Sequence, residues 1–220
     1  MAQIDELSQY SESELYDLYS DEELDDILSE YYEIMDITEE QKEKRKQLAK
    51  ELRNALLFLF ALMRVSYEND YLEFEFVLNQ FRIEFTKVVI NYGRVDVYFE
   101  QYITKVTRDI VDTTFKYADL TQPNFWLSDK RAVDIAENES NSVLNYEELQ
   151  EAIDDGYAMK EWRTQRDNRV RKEHRELEGK KIPIDEYFSV GNSMLLFPRD
   201  EVNCADIKDI AGCRCSLKYS

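Results

Sequence analysis

A chain of 220 residues with five glycines and three prolines has room for one substantial core and a small appendage. Only Gly93 precedes Gly156, so the first two thirds lack the turn residues of a hairpin-rich β fold. The formal charge of −19 sits mostly in the first 40 residues, which hold fifteen Asp or Glu and no Lys or Arg, against 32 acids and 28 bases in the remainder. No cationic, apolar signal opens the chain and three cysteines make no disulfide framework, which points to a reducing cytosol and excludes a secreted disulfide scaffold.

Residues 1–40 mix dense acid with Leu, Ile and five tyrosines, richer in apolar groups than an inert tail. They read as a conditionally helical acidic arm, either solvated or ordering against a basic partner surface. The run TEEQ from Thr38 has the form of a capping box and opens a helix to about Arg64. Within that helix ALLFLFALM at 55–63 is about half the length needed to cross a bilayer, so it reads as a buried segment and no membrane segment is expected. Tyr71, Phe74, Leu78, Phe81, Phe85 and Val88 recur at spacings of three and four, which places them on one packed helical face and not in a cofactor box. After Gly93, the spacing of Val95, Phe99, Tyr102, Val106 and Ile110 predicts a helix to about Tyr117, although VDVYF alone would suit a strand. Pro123 marks a connection, and Ser128 is placed to cap a helix beginning DKRAVDIAENESN, with Asp129 in its first turn.

Residues 160–181 hold nine Lys or Arg against five acids. They read as a solvated helix ended by Gly179, with Arg169 and Glu173 as an i,i+4 pair, and as a patch for weak contact with DNA phosphates. Next, IPIDEYFSVGNSMLLFP alternates short apolar stretches about Gly191 and Asn192, predicting a β-hairpin that Pro198 closes. The tail from Arg199 onward has too few apolar residues for a core of its own.

These landmarks come in a particular order. Arg131, Ala132, Ile135, Ala136 and Glu139 lie on one helix; Trp162, Asp167, Arg169, Val170, Arg171, His174, Leu177 and Gly179 follow. Asp185 and Phe188 mark the hairpin, and Pro198, Asp200, Cys213, Arg214 and Cys215 close the chain. In that order they resemble the phage Mu protein F-like family of minor head, or head morphogenesis, proteins. The resemblance covers roughly residues 128–216, with ENES standing where the family pattern has an Arg-Thr-Glu run, and residues 1–127 carry no motif of it. It implies a low-copy, portal-associated virion component, in the head near the portal and in host cytoplasm during assembly. Such a protein would assist head assembly and DNA packaging or delivery, with the portal protein and other head proteins as partners. Some members carry C-terminal toxin domains; five residues follow Cys215 here, so the resemblance implies the structural version and no enzyme. The alternative is an adaptor for a separate effector, or a metal-dependent enzyme.

His174, Cys204, Cys213 and Cys215 are the residue types of a closed tetrahedral structural zinc site, and a hairpin and tail that bury little have a physical need for such a staple. Against zinc, a Cys-x-Cys pair is not the usual knuckle spacing. Reduced, buried cysteines with His174 in a hydrogen-bond network, and a disulfide in the particle, are the other two readings, and all three stand open. A single histidine and no recognised nucleophile context argue against hydrolase or Cys-His catalysis. The fold class expected is α+β, predominantly helical: an acidic arm at 1–40, a helical region at 41–127, and a Mu F-like domain at 128–220 with a helix, a β-hairpin and a Cys-containing tail.

Overall fold

The computed structural model describes residues 18–220; the first seventeen residues of the acidic arm lie outside the described residues. The rest of the arm is a helix, α1 (Asp21–Glu33). Its N-terminus is closed by a capping box in which Ser20 Oγ accepts from Glu23 N–H at 3.2 Å and the Glu23 carboxylate accepts from Ser20 N–H at 2.8 Å. Leu24, Leu28 and Tyr32 follow at i, i+4 and i+8 and are buried, with Tyr32 Oη 2.5 Å from Ser140 Oγ. Residues of α1 therefore pack on the chain's own helices, where the sequence left open a solvated arm or one ordering against a basic partner surface. Arg53 accounts for part of this: it bridges the Tyr19 carbonyl at 3.3 Å and the Asp129 carboxylate at 2.5 Å.

The Thr38 capping box forms as expected and opens α2 (Glu39–Glu68), about 45 Å long. The apolar run at 55–63 is buried in it, and α2 packs against α1, α3 (Phe74–Val89) and α5 (Asp129–Asp154). Helix α3 buries Val77, Leu78, Phe81, Phe85 and Val89. The face is turned slightly from the predicted stripe: Tyr71 precedes the helix and Val88 is half-buried, because a 3.6-residue period drifts off a strict three-four alternation. In α4 (Val97–Tyr117) Asp96 is the N-cap, its carboxylate accepting from Phe99 N–H at 2.9 Å. That cap decides against a strand in VDVYF and leaves Val95 outside the helix, 60% exposed, where the pattern had placed it on the packed face. Ser128 caps α5, which runs along α2 so that residues from α1 to the last strand join one apolar cluster. Among the described residues no helix is long and apolar enough to cross a membrane.

Beyond Gly156 the chain changes character. Strand β1 (Met159–Arg163) pairs antiparallel with both β2 (Lys181–Pro183) and β5 (Ser216–Tyr219), Trp162 facing Leu217. Strands β3 (Phe188–Val190) and β4 (Ser193–Leu195) form the predicted hairpin about Gly191 and Asn192. Residues 160–181 are thus not one solvated helix. Lys160 and Trp162 point inward with a period of two, which makes the segment's start a strand, and only α6 (Lys172–Arg175) is helical. Arg169 precedes α6 and forms no ion pair with Glu173 among the described residues; Lys172 and Glu176 make the i,i+4 pair instead, at 3.9 Å. The tail supplies Ile210, Cys213, Cys215 and Leu217 to the shared cluster. The whole is α+β and mostly helical.

Candidate metal centre

His174 lies on α6 and is 3% exposed. Its Nε2 is 2.7 Å from the Asp209 carbonyl, an acceptor only, so Nε2 carries the proton and donates. Nδ1 then faces two sulfurs, Cys213 Sγ at 3.4 Å and Cys215 Sγ at 3.5 Å, and the three ligand atoms all lie within 4.8 Å of one another. The surroundings fix this geometry. Asp167 accepts from the Arg169 and Val170 amides at the entry to α6 and from Arg214 Nη2 at 2.8 Å, tying the helix to the residue between the cysteines. Arg171 donates to the Ala211 carbonyl at 2.7 Å, and the Trp162 ring stands edge-on to the imidazole, with centroids 5.7 Å apart. Gly179, at φ +74°, turns the chain so that its N–H reaches the Trp162 carbonyl at 2.9 Å.

Asp209 couples this cluster to the hairpin. Its carboxylate accepts from Ser193 Oγ at 2.7 Å and Asn192 N–H at 3.0 Å, while its carbonyl holds the imidazole. Gly191 permits the approach: it has φ +56°, and a Cβ there would stand 2.1 Å from Asp209 Oδ1.

Cys213 is held well below the usual thiol range by a hydrogen bond from Cys215 and by His174, in spite of burial. Cys215 is pushed the other way by the Cys213 sulfur and by burial. Burial disfavours the charged form of His174, but the Cys213 sulfur and the Asp209 carbonyl outweigh it and raise its pKa. A small cavity of about 30 Å³ adjoins the three side chains, lined also by Gln165, Arg171 and Arg214. Among the described residues Gln165 Oε1, Arg171 Nε and Arg214 Nη1 are buried without a hydrogen-bond partner. Cys204 is elsewhere: its thiol meets the Asp206 carbonyl at 3.0 Å and receives the Ser193 hydroxyl at 3.8 Å. The expected four-residue set is therefore three residues, because the 310 turn Ile207–Asp209 carries the chain from the hairpin edge to His174 between Cys204 and Cys213.

Of the remaining motif residues, Glu139 belongs to a second buried centre, built around Arg199. Arg199, in the left-handed region at φ 64°, donates to Glu139 at 3.0 Å, Glu201 at 2.7 Å, Ser142 at 3.0 Å, Asn138 at 2.8 Å and the Ile210 carbonyl at 3.0 Å. Tyr102 completes it, its hydroxyl donating to Glu139 at 2.9 Å. Burial raises Glu139 to about 7 although Arg199 pulls it down. Asp200 accepts from Tyr98, the Leu196 amide and Asn203, while Pro198 gives its carbonyl to Asn145. Arg131 is buried between the Phe60 and Trp126 rings and donates to the Trp126 carbonyl at 2.7 Å; burial lowers it to about 10. Ala132 and Ala136 are buried beside it, Ile135 lines a groove of about 680 Å³, Phe188 packs on Trp162, and Asp185 is exposed in the turn before β3.

Sequence reasoning passed over Arg45, Arg199 and Glu201. Arg45 is fully buried and joins α2 to α5 through Asn141, Asn145 and Glu148. One signal was readable: Asn141 and Asn145 stand four residues apart in line with Leu149, and polar residues in line with an apolar one on a helix mark buried polar positions.

A family model described as Phage Mu protein F like protein matches residues 101–218, more than half the chain, from within α4 to within β5. No curated protein and no solved structure matches.

Proposed function

Because the chain belongs to the Phage Mu protein F like family, a family of phage head proteins, we propose that it is a low-copy minor head protein that sits at the portal, assists head assembly in the host cytoplasm and stays in the virion. The family match is the observation that carries this reading, and it spans both buried centres described above. Binding to the portal and to other head proteins is the work we assign to it, with no catalytic step. A role in DNA packaging or delivery belongs to the same reading. Any DNA contact through 160–181 rests on the exposed cations Arg169, Arg175, Lys180 and Lys181, since Lys160 is buried and Arg163, Arg166 and Lys172 are paired with Glu161, Glu178 and Glu176.

The test is quantitative mass spectrometry of purified mature particles and empty precursor heads against the portal and major capsid subunits. Portal-like abundance in both supports the proposal. Presence only in precursors means a departing assembly factor, and absence from both returns the adaptor or enzyme reading.

A further inference from the structure

We propose that Cys213 Sγ, Cys215 Sγ and His174 Nδ1 bind one zinc ion, whose fourth position is a water molecule in the adjoining cavity. The argument starts from separations. Tetrahedral zinc with bonds of about 2.0–2.1 Å to nitrogen and about 2.3 Å to sulfur places those ligand atoms about 3.5–3.6 Å apart. The Nδ1 to sulfur distances here are 3.4 and 3.5 Å, close to that spacing, and all three ligand atoms lie within 4.8 Å of one another.

The imidazole is prepared for this. Its Nε2–H is donated to the Asp209 carbonyl, which fixes the tautomer and the ring's orientation and leaves Nδ1 free to ligate. The charges agree as well. Two thiolates neutralise Zn²⁺, and Arg171 and Arg214, whose buried Nε and Nη1 are without hydrogen-bond partners among the described residues, line the same cavity as the two cysteines. A cavity of about 30 Å³ has room for one water, and a zinc-bound water would donate to Gln165 Oε1, the third group there without a partner. Among the described residues no carboxylate lines that cavity, and Asp167 is committed to Arg214, so none of them is placed as a general base. Its role is to pin the tail, β5 and the hairpin to α6, where strands of three to five residues offer little burial of their own. This assignment is independent of the portal reading.

The experiment uses the full chain purified under reducing conditions from zinc-replete medium. Metal content comes from elemental mass spectrometry, and the metal-stripped protein is then refilled with cobalt(II) alone. The wild-type chain and Cys204→Ser should each hold about one zinc per chain, and the cobalt form should show tetrahedral ligand-field bands with thiolate-to-metal charge transfer. Cys213→Ser, Cys215→Ser and His174→Ala should bind at least about 10-fold more weakly. A wild-type chain that stays metal-free after zinc loading overturns the proposal. So does a cobalt spectrum without charge transfer, or loss of metal in Cys204→Ser. Should the ligand variants fail to fold, wild-type stoichiometry, the cobalt spectrum and Cys204→Ser decide the matter.

Discussion

Replacing Arg199 with methionine tests the second buried centre most directly. The substitution keeps much of the aliphatic stem and removes a guanidinium that donates five hydrogen bonds, two of them to carboxylates whose side chains are 9% and 4% exposed. Removing one partner of a buried ion pair costs about 3–5 kcal/mol, because the opposite charge stays behind without compensation. At about 2–4 °C per kcal/mol for a chain of this size, the midpoint of thermal unfolding should fall by about 10 °C. A pH dependence separates this cause from simple loss of packing. Burial already lifts Glu139 to about 7 while Arg199 opposes the shift, so in the variant the carboxyl rises further. A carboxyl raised on folding binds its proton more tightly in the folded state, and stability falls as pH climbs from the unfolded value through the folded one. Arg199→Met should therefore lose most at pH 8 and recover part of the loss at pH 6, where Glu139 takes up a proton. Urea unfolding followed by circular dichroism at the two pH values reads this out. A loss under about 1 kcal/mol at pH 8, or one equal at both pH values, would refute the ion-pair account.

Three further outcomes follow from the packing. Leu28→Ala should cost about 2–5 kcal/mol in urea unfolding if α1 belongs to the core, whereas a solvated arm would leave stability within about 0.5 kcal/mol. Glu137→Gln should stabilise the protein by about 1–3 kcal/mol at pH 9 and leave it almost unchanged near pH 5, since burial, with Asp134 beside it, raises that carboxyl to about 8 and the glutamine carries no charge to bury. Gly191→Ala should cost about 2 kcal/mol or more, from the left-handed backbone and displacement of Asp209, and should shift the His174 ring resonances in a nitrogen-correlated NMR spectrum; unchanged resonances would mean that the turn does not position the imidazole.

Much of the helical half was legible because local chemistry and packing agree there. Thr38 and Ser128 announce their caps, and Leu78, Phe81 and Phe85 repeat with the helical period that places them in the core. The errors fell where local signals compete. In 160–181 dense charge suggested a solvated helix, yet Lys160 is drawn inward to the Leu196 carbonyl at 2.7 Å and over the Phe188 ring, a burial that lowers its pKa to about 8. Nothing in the pattern of residues around Lys160 reveals an acceptor 36 positions away. Cys204 was grouped with the other cysteines by residue type alone, and spacing could not show that the turn at Ile207–Asp209 separates it from them. The structure brings His174, Cys213 and Cys215 together, and that convergence depends on Asp167, Asp209 and Arg214, whose roles exist only in three dimensions.

The polar groups buried around the tail solve a problem that apolar contacts leave open. Strand β5 has four residues, and a slip of one place against β1 would move Leu217 away from Trp162 and turn its side chains to the opposite face. Hydrophobic attraction is not directional and penalises such a slip weakly in so short a strand. Directional bonds remove the ambiguity: Gln165 Nε2 donates to the Arg214 carbonyl, Arg214 reaches Asp167, and Asn145 donates to the Pro198 carbonyl at 2.9 Å while lying within 3.5 Å of the Cys215 carbonyl. Asn145 is itself held by Arg45 of α2 at 3.0 Å. A one-residue slip would break this chain of bonds inside the protein, where each unpaired polar group costs about 1–3 kcal/mol. The register that keeps Cys213 and Cys215 facing His174 is thus specified from the long helix of the N-terminal half, and the two halves of the chain cannot be optimised separately.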